Sequence, residues 1–186
     1  MVSPCWNIEK STVPVPLRVA VLAIAVVASI QPARVQKLIQ PTRLVILGTG
    51  TPVADPTRSG PGVAIVVGSE AYLVDAGPGI VRRAAAAASQ GFPALHAHNL
   101  RRVFITHLHS DHTLGLPDLM LSPWPLGRQT PLEVYGPLGI RNMTRHIEEA
   151  WGEDEQKRMF GPEGLRRPNY KAVTHEIEAG DRKSVV

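Results

Sequence analysis

The chain has 186 residues, of which 44% are hydrophobic, so it can bury the core of one domain and is not a disordered polar tail. Its 20 Lys and Arg exceed its 16 Asp and Glu by four, and the excess is spread along the chain. This balance permits an anionic substrate but gives no strong nucleic-acid-binding signal. The single Cys5 excludes a disulfide framework and a cysteine-based zinc finger, because both need several cysteines.

The first part of the chain is typical of a targeting segment. Lys10 and Arg18 precede an uninterrupted apolar run over residues 19–28. This run is shorter than the ~20 residues that span a bilayer, so no transmembrane span is predicted, and its length fits the core of a secretory signal peptide. An uncleaved anchor, or a buried helix in a cytoplasmic protein, is the alternative. The favoured location is periplasmic or secreted.

These features predict three regions. Residues 1–31 are a signal peptide or hydrophobic leader, residues 32–42 a linker, and residues 43–186 the folded part. The folded part is expected to begin with a buried strand over residues 44–47, followed by a glycine-bearing loop that continues to Gly62. No Gly-Lys-Ser/Thr follows those glycines, so a phosphate loop of the nucleotide-binding type is not favoured.

Two strands, over residues 63–67 and 71–74, are predicted to form a hairpin, and the alanine-rich stretch 80–90 a helix that ends at Gly91. Asp75 lies immediately beyond the second strand. It is either a turn-capping residue or a carboxylate that orients a metal ligand by hydrogen bonding, because it lies at the same sheet end as the histidine cluster described next.

Three of the seven histidines lie close together where the apolar run 103–106 ends. The sequence there is His107-Leu108-His109-Ser110-Asp111-His112. Imidazole nitrogens and a carboxylate are the ligand types that bind divalent metals such as Zn²⁺. We therefore predict that His107, His109, Asp111 and His112 are metal ligands.

The other histidines are expected to lie apart from this site. His96 and His98 form a second pair, but a predicted strand over residues 100–106 would separate it from His107 by roughly 20 Å. We interpret both as solvated loop residues. His146 is expected on the polar face of a helix, and the role of His175 is left open.

Further elements follow the cluster. Ser110 is predicted to cap a helix that runs from Asp111 toward Leu121. The remaining expectations are a strand within residues 131–137, a helix over residues 138–151, a surface excursion over residues 152–168 and a strand over residues 173–177.

Four motifs together resemble the metallo-β-lactamase-fold metallohydrolases, and within them the ribonuclease Z and arylsulfatase-like branch. They are Leu47-Gly48-Thr49-Gly50, the strand that ends in Asp75, the cluster 107–112 with Gly115-Leu116-Pro117 behind it, and residues 135–140. The resemblance covers about residues 43–177 and looks like only the N-terminal half of the fold.

The resemblance implies an α/β (α+β) fold, an αββα sandwich truncated after its first half. It implies two Zn²⁺ ions in the complete domain, with Mn or Fe as other possibilities. His107 and His109 would bind the first metal, Asp111 and His112 the second, and Asp75 would support them. The family's further ligands, two histidines and a bridging aspartate, have no counterpart in this sequence.

The function implied is metal-dependent hydrolysis of a phosphodiester or related ester, with Asp111 orienting or deprotonating water. The substrate would be a small molecule or a nucleic acid, and neither its binding residues nor the oligomeric state follows from the sequence. Two alternatives stand: an arylsulfatase or lactonase-type hydrolase, and a truncated, non-catalytic fragment that binds at most one weak metal. The turn 75–79 and the segment 152–168 differ from those of ribonuclease Z, which disfavours tRNA processing.

Export is directly testable. Val27 and Ser29 suit the small-residue rule for cleavage after Ser29, so mass spectrometry of secreted or periplasmic material is expected to find a mature terminus at Ile30. An intact Met1 terminus in that material would contradict the signal-peptide interpretation.

Overall fold

The computed structural model describes residues 41–165 and 167–178. The predicted leader, residues 1–31, lies outside this range, as does all of the predicted linker except residues 41 and 42. Across the described residues, no helix is both long and apolar enough to cross a membrane.

The described part of the chain is built on one sheet of six strands in the order β1-β2-β3-β4-β5-β6. The strands β1, β2 and β3 pair antiparallel, whereas β3, β4, β5 and β6 pair parallel. Their bounds are β1 Thr42–Gly48, β2 Gly62–Val67, β3 Glu70–Val74, β4 Arg102–Phe104, β5 Leu132–Gly136 and β6 Ala172–Glu176. The predicted hairpin and the predicted strands in residues 131–137 and 173–177 are thus present, while β4 is shorter than expected.

Within the described residues, five α-helices accompany the sheet: α1 Ile80–Ser89, α2 Ser110–Thr113, α3 Leu116–Leu121, α4 Ile140–Ala150 and α5 Gly152–Phe160. The helices α1 and α4 match their predictions. Both start after a glycine with positive φ, Gly79 at 86° and Gly139 at 103°, a conformation that glycine adopts without steric cost.

The core lies between the helices and one face of the sheet. Alternation along β2 and β3 directs Ala64, Val66 and Leu73 toward the helices, where all three are buried. The parallel strands contribute Val103 and Val134 to the same layer. Buried helix residues complete it: Ile80, Ala84, Ala88, Leu116, Leu119, Met120 and Ile140.

The opposite face of the sheet is open in the described residues. Leu44 is 68% exposed and Ile46 53% exposed, so the prediction that β1 is a buried strand was wrong. The physical reason is that β1 is an edge strand whose outward side chains project from the face without helices. Val67 and Val173 lie on that same face and are also exposed. The layers observed in the described residues are therefore one sheet and one set of helices, the half sandwich that the family resemblance implies.

The predicted helix over residues 111–121 is divided into two. Ser110 is the first residue of α2, and the capping position is His109, so Ser110 is not the cap. The division occurs at Gly115, whose N–H donates to the Ala76 carbonyl oxygen at 2.8 Å instead of extending the first helix. The turn after β3 thus interrupts the helix and draws it against the sheet.

Residues 152–168 were predicted to be a surface excursion, but they contain α5. Three acidic residues occupy its first turn and Lys157 and Arg158 its last, which suits the helix dipole. This charge pattern favours a helix, but the segment lacks the long apolar stripe from which the other helices were predicted.

Arg128 fixes the far end of α3. The residue is 1% exposed, and its guanidinium donates to the carbonyl oxygens of Leu119 at 2.7 Å and Asn169 at 2.8 Å, and also to that of Met120. Burial lowers the pKa of Arg128 to about 10, still far enough above neutrality to keep it charged. The buried cation satisfies carbonyl groups that a short helix leaves without partners.

Candidate metal centre

The carboxylate of Asp75 joins the ends of two neighbouring parallel strands. Asp75 follows β3, and its Oδ1 accepts hydrogen bonds from the backbone N–H of Thr106 at 2.8 Å and from the Thr106 hydroxyl at 2.9 Å. Its Oδ2 lies 2.8 Å from Nδ1 of His112. The side chain is only 10% exposed, so these contacts are shielded from water.

The backbone of Asp75 is also unusual. It is the one non-glycine residue with positive φ in the described part of the chain, at 63°. Aspartate tolerates this left-handed region better than most side chains because its short polar group can bond locally. The conformation turns the chain sharply after β3 and places the carboxylate under the histidine loop.

The predicted ligands come together in that loop. The ring centroid of His107 lies 4.6 Å from that of His109 and 4.1 Å from that of His112. The Asp111 carboxylate lies 3.5 Å from Nε2 of His112. The Thr106 hydroxyl lies 3.0 Å from Nδ1 of His107, so one threonine contacts both Asp75 and a histidine.

The chemical types of these donors suit a divalent metal, but the side chains are not arranged around a common point. Three imidazoles and one carboxylate are the ligand types that Zn²⁺ and similar ions select. Within residues 41–165 and 167–178, however, no three His, Cys, Asp or Glu side chains are already oriented to hold an ion. Metal binding would require rotation of these side chains, further ligands or both.

Close backbone contacts hold the loop in place. The N–H of Ala76 donates to the His112 carbonyl oxygen at 2.9 Å, and Gly115 donates back to Ala76. A Cβ at Gly115 would lie 2.2 Å from the Gly77 carbonyl oxygen, so only glycine fits there. The turn 75–79 and the start of α2 are therefore packed backbone to backbone.

The remaining histidines lie apart from the cluster. His96 and His98 are exposed, and their rings stack at 5.6 Å, in agreement with solvated residues. His146 lies on α4 beside Glu149, with 58% of its side chain exposed, as predicted. His175, left open by the sequence, pairs with Glu133 and stacks on Tyr135 on the open sheet face.

Thr106 was missed in the sequence because nothing in its local pattern distinguishes it from the last residue of a strand. Two sequence features taken together could have indicated its role. A hydroxyl directly before a His-x-His pair, at the end of the strand beside Asp75, is in a position to bond both.

Comparisons with known proteins agree with this architecture. Residues 70–181 match the family described as the β-lactamase superfamily domain. Ribonuclease Z of Mycobacterium bovis (strain BCG / Pasteur 1173P2) is 36% identical over 140 residues, which cover 74% of this chain and 48% of that protein. Ribonuclease Z of Mycobacterium avium (strain 104) is 37% identical over 128 residues, 67% of this chain and 44% of the relative.

Solved structures of ribonuclease Z proteins superpose on this chain. Human tRNase Z, short form, superposes with a TM-score of 0.52 at 29% identity, covering 74% of this chain and 46% of that one. A long-form RNase Z from yeast also has a TM-score of 0.52, at 15% identity, which supports the fold alone; 74% of this chain and 18% of the yeast chain are covered. This chain spans about half the length of the curated relatives it matches.

The glycine contact at the loop gives a stability prediction. Gly115→Ala is expected to lower the free energy of unfolding by more than ~2 kcal/mol, because the added Cβ forces backbone apart in a packed turn. Gly152→Ala is the matched control, since a Cβ there meets nothing within 4 Å. Urea unfolding of the two variants would measure the difference, and equal stabilities would contradict the close packing.

Proposed function

This chain belongs to the β-lactamase superfamily and has the metallo-β-lactamase fold, and from that membership we propose that it is the N-terminal part of a metal-dependent hydrolase that acts on a phosphodiester or related ester. One observation carries the proposal: three imidazoles and a carboxylate converge at a sheet edge where Asp75 contacts one of the imidazoles. The sequence relatives named ribonuclease Z support a phosphodiester as the bond that is broken.

His107, His109, Asp111 and His112 are the residues that would hold the metal. Asp75 would support them, because a carboxylate that accepts from Nδ1 leaves Nε2 of His112 free to act as a ligand. The donor set favours Zn²⁺, and two ions are expected in the complete domain, with the missing ligands supplied by residues beyond those that converge here.

A bound divalent metal supplies Lewis acidity, which makes water a nucleophile near neutral pH and neutralises charge that develops on a phosphoryl oxygen. Asp111 would orient or deprotonate the attacking water, because its carboxylate lies within the cluster, 3.5 Å from Nε2 of His112. Thr106, bonded to Asp75, would keep the His107 ring from turning away.

A second candidate is a non-catalytic product that binds at most one weak metal. The observation that favours it is the absence, in the described part of the chain, of three donor side chains already oriented around one point. The two candidates differ in activity rather than in the identity of the ligands. An arylsulfatase or lactonase activity would use the same residues, and no contact favours it over a phosphodiester.

Removal of one predicted ligand tests the metal site that both candidates share, and hydrolysis by the wild type separates them. In the full chain supplied with Zn²⁺, His107→Ala is expected to weaken metal binding by at least the ~10–100-fold seen when only a supporting residue is lost. Hydrolysis of bis(p-nitrophenyl) phosphate should fall in parallel. Metal content by mass spectrometry and the rate of nitrophenolate release are the two measurements.

His146→Ala is the matched control, because it removes a histidine that lies exposed on α4 and contacts Glu149 and Arg145 rather than the cluster. It should leave both quantities unchanged. A folded wild-type preparation that takes up no metal would contradict the proposed function, whereas metal uptake without hydrolysis would favour the non-catalytic candidate.

A further inference from the structure

The hydroxyl of Thr106 lies between the carboxylate of Asp75 and the ring of His107. Its Oγ1 is 2.9 Å from Oδ1 and 3.0 Å from Oδ2 of Asp75, and 3.0 Å from Nδ1 of His107. All three distances are within hydrogen-bonding range. Because each hydrogen bond needs one donor and one acceptor, these contacts determine which nitrogen of His107 carries the proton.

The Thr106 hydroxyl has one hydrogen, which is directed to Asp75. A carboxylate has no hydrogen of its own, so its oxygens only accept. If the hydroxyl donated to His107 instead, its oxygen would face both carboxylate oxygens with no hydrogen between them, and these contacts would be repulsive. The hydroxyl therefore donates to Asp75 and shares its hydrogen between Oδ1 and Oδ2.

The position of the proton on His107 follows from this assignment. Since the hydroxyl hydrogen is directed to Asp75, Thr106 offers Nδ1 of His107 only an oxygen lone pair, and Nδ1 must be the donor. A neutral imidazole carries one ring hydrogen. Nε2 of His107 is consequently left with a free lone pair, which is the form of an imidazole nitrogen that binds a metal.

Three features hold the hydroxyl in place although Thr106 is exposed. The backbone N–H of Thr106 donates to Oδ1 of Asp75 at 2.8 Å, which fixes the Cα beside the carboxylate. Threonine is branched at Cβ, so few rotamers are open to it and little side-chain entropy is lost. The acceptor is a carboxylate that is largely buried, and hydrogen bonds to such a group are among the stronger ones.

The same carboxylate acts on a second predicted ligand without an intermediate. Oδ2 of Asp75 lies 2.8 Å from Nδ1 of His112 and accepts its hydrogen, so Nε2 of His112 is also left without a proton. A single carboxylate thus determines the tautomers of two rings whose centroids are 4.1 Å apart. It acts on His112 directly and on His107 through Thr106.

We propose that Thr106 is a positioning residue whose hydroxyl donates to Asp75 and accepts from Nδ1 of His107, which keeps Nε2 of His107 free for a metal. The role of the free nitrogen rests on the proposed function. The position of the proton does not, because it is a property of the protein before any metal binds.

The test is nuclear magnetic resonance of the full chain with ¹⁵N-labelled histidine, free of metal, in mildly alkaline buffer that keeps the rings neutral. Long-range ¹H–¹⁵N correlation distinguishes a protonated ring nitrogen from an unprotonated one. In the wild type, His107 is expected to carry its proton on Nδ1. In Thr106→Val the Nε2–H form should become the major one, as it is for a histidine side chain free in water.

The variants are chosen to separate the hydroxyl from the fold. Thr106→Ser keeps the hydroxyl and should restore the wild-type tautomer of His107. Thr113→Val is the matched control, because it removes a hydroxyl from the same loop that donates to the His109 carbonyl oxygen rather than to Asp75. The tautomer of His112, which contacts Asp75 directly, should be the same in all four proteins and provides a reference within each spectrum.

Three results would overturn the proposal. The first is a wild-type His107 with its proton on Nε2, which needs no variant and therefore stands even if Thr106→Val fails to fold. The second is a Thr106→Val spectrum in which the His107 tautomer is unchanged. The third is an equal shift of the His107 tautomer in Thr113→Val, which would indicate a general disturbance of the loop.

A second measurement separates this proposal from the proposed function. Competition with a chromophoric chelator should show ~10–100-fold weaker Zn²⁺ binding in Thr106→Val than in the wild type, with recovery in Thr106→Ser. If the wild type binds no Zn²⁺ but shows the expected tautomers, the proposed function fails and the role of Thr106 stands. If the wild type binds Zn²⁺ and hydrolyses bis(p-nitrophenyl) phosphate while His107 carries its proton on Nε2, the role of Thr106 fails and the proposed function stands.

Discussion

The arrangement of the histidine loop and the strand ends beside it depends on the buried carboxylate of Asp75. It accepts two hydrogen bonds from Thr106 and contacts Nδ1 of His112, so a single side chain ties the end of β3 to the end of β4 and to the first turn of α2. A buried carboxylate is costly unless its oxygens are bonded, and here each has a partner. The same contacts that make Asp75 tolerable in the core fix the orientation of the histidine loop.

Near this carboxylate, the backbone is packed so closely that two positions accept only glycine. A Cβ at Gly115 would meet the Gly77 carbonyl oxygen, and a Cβ at Gly77 would meet the backbone of Gly60 and Asp111. The N–H of Gly60, in the loop after β1, donates to the Pro78 carbonyl oxygen of the turn 75–79. As a consequence, the histidine loop, the turn and the β1 loop form one packed edge. This edge brings the histidine cluster and the loop after β1 onto the same side of the sheet, while in the described residues the helices cover one face of the sheet and leave the other open.

Elements whose apolar residues recur with the spacing of a helix or a strand are predicted from the sequence. Features that depend on contacts between distant parts of the chain are not. The hairpin and the helices α1 and α4 follow from alternation, from apolar spacing and from glycine boundaries. The break at Gly115 was not predictable locally, because its cause is the carbonyl group of Ala76, distant in sequence. The exposure of Leu44 and Ile46 depends on which faces are covered, and apolar content alone does not specify that. The histidine cluster was predicted because its residue types and spacing are typical of metal ligands. The role of Thr106 depends on its contacts with Asp75 and His107, which its own position in the sequence does not show.

The Zn²⁺ affinity of Asp75→Asn tests most directly the central claim that Asp75 orients His112 as a metal ligand. An Asn amide can donate to Nδ1 of His112, which would put the proton on Nε2 and block that nitrogen as a ligand. Competition with a chromophoric chelator is expected to give ~10–100-fold weaker Zn²⁺ binding than wild type, with the circular dichroism spectrum unchanged. Asp118→Asn, which removes a carboxylate that contacts Arg82 and Ser122, should bind as wild type does. Equal affinity in Asp75→Asn and wild type would contradict the account.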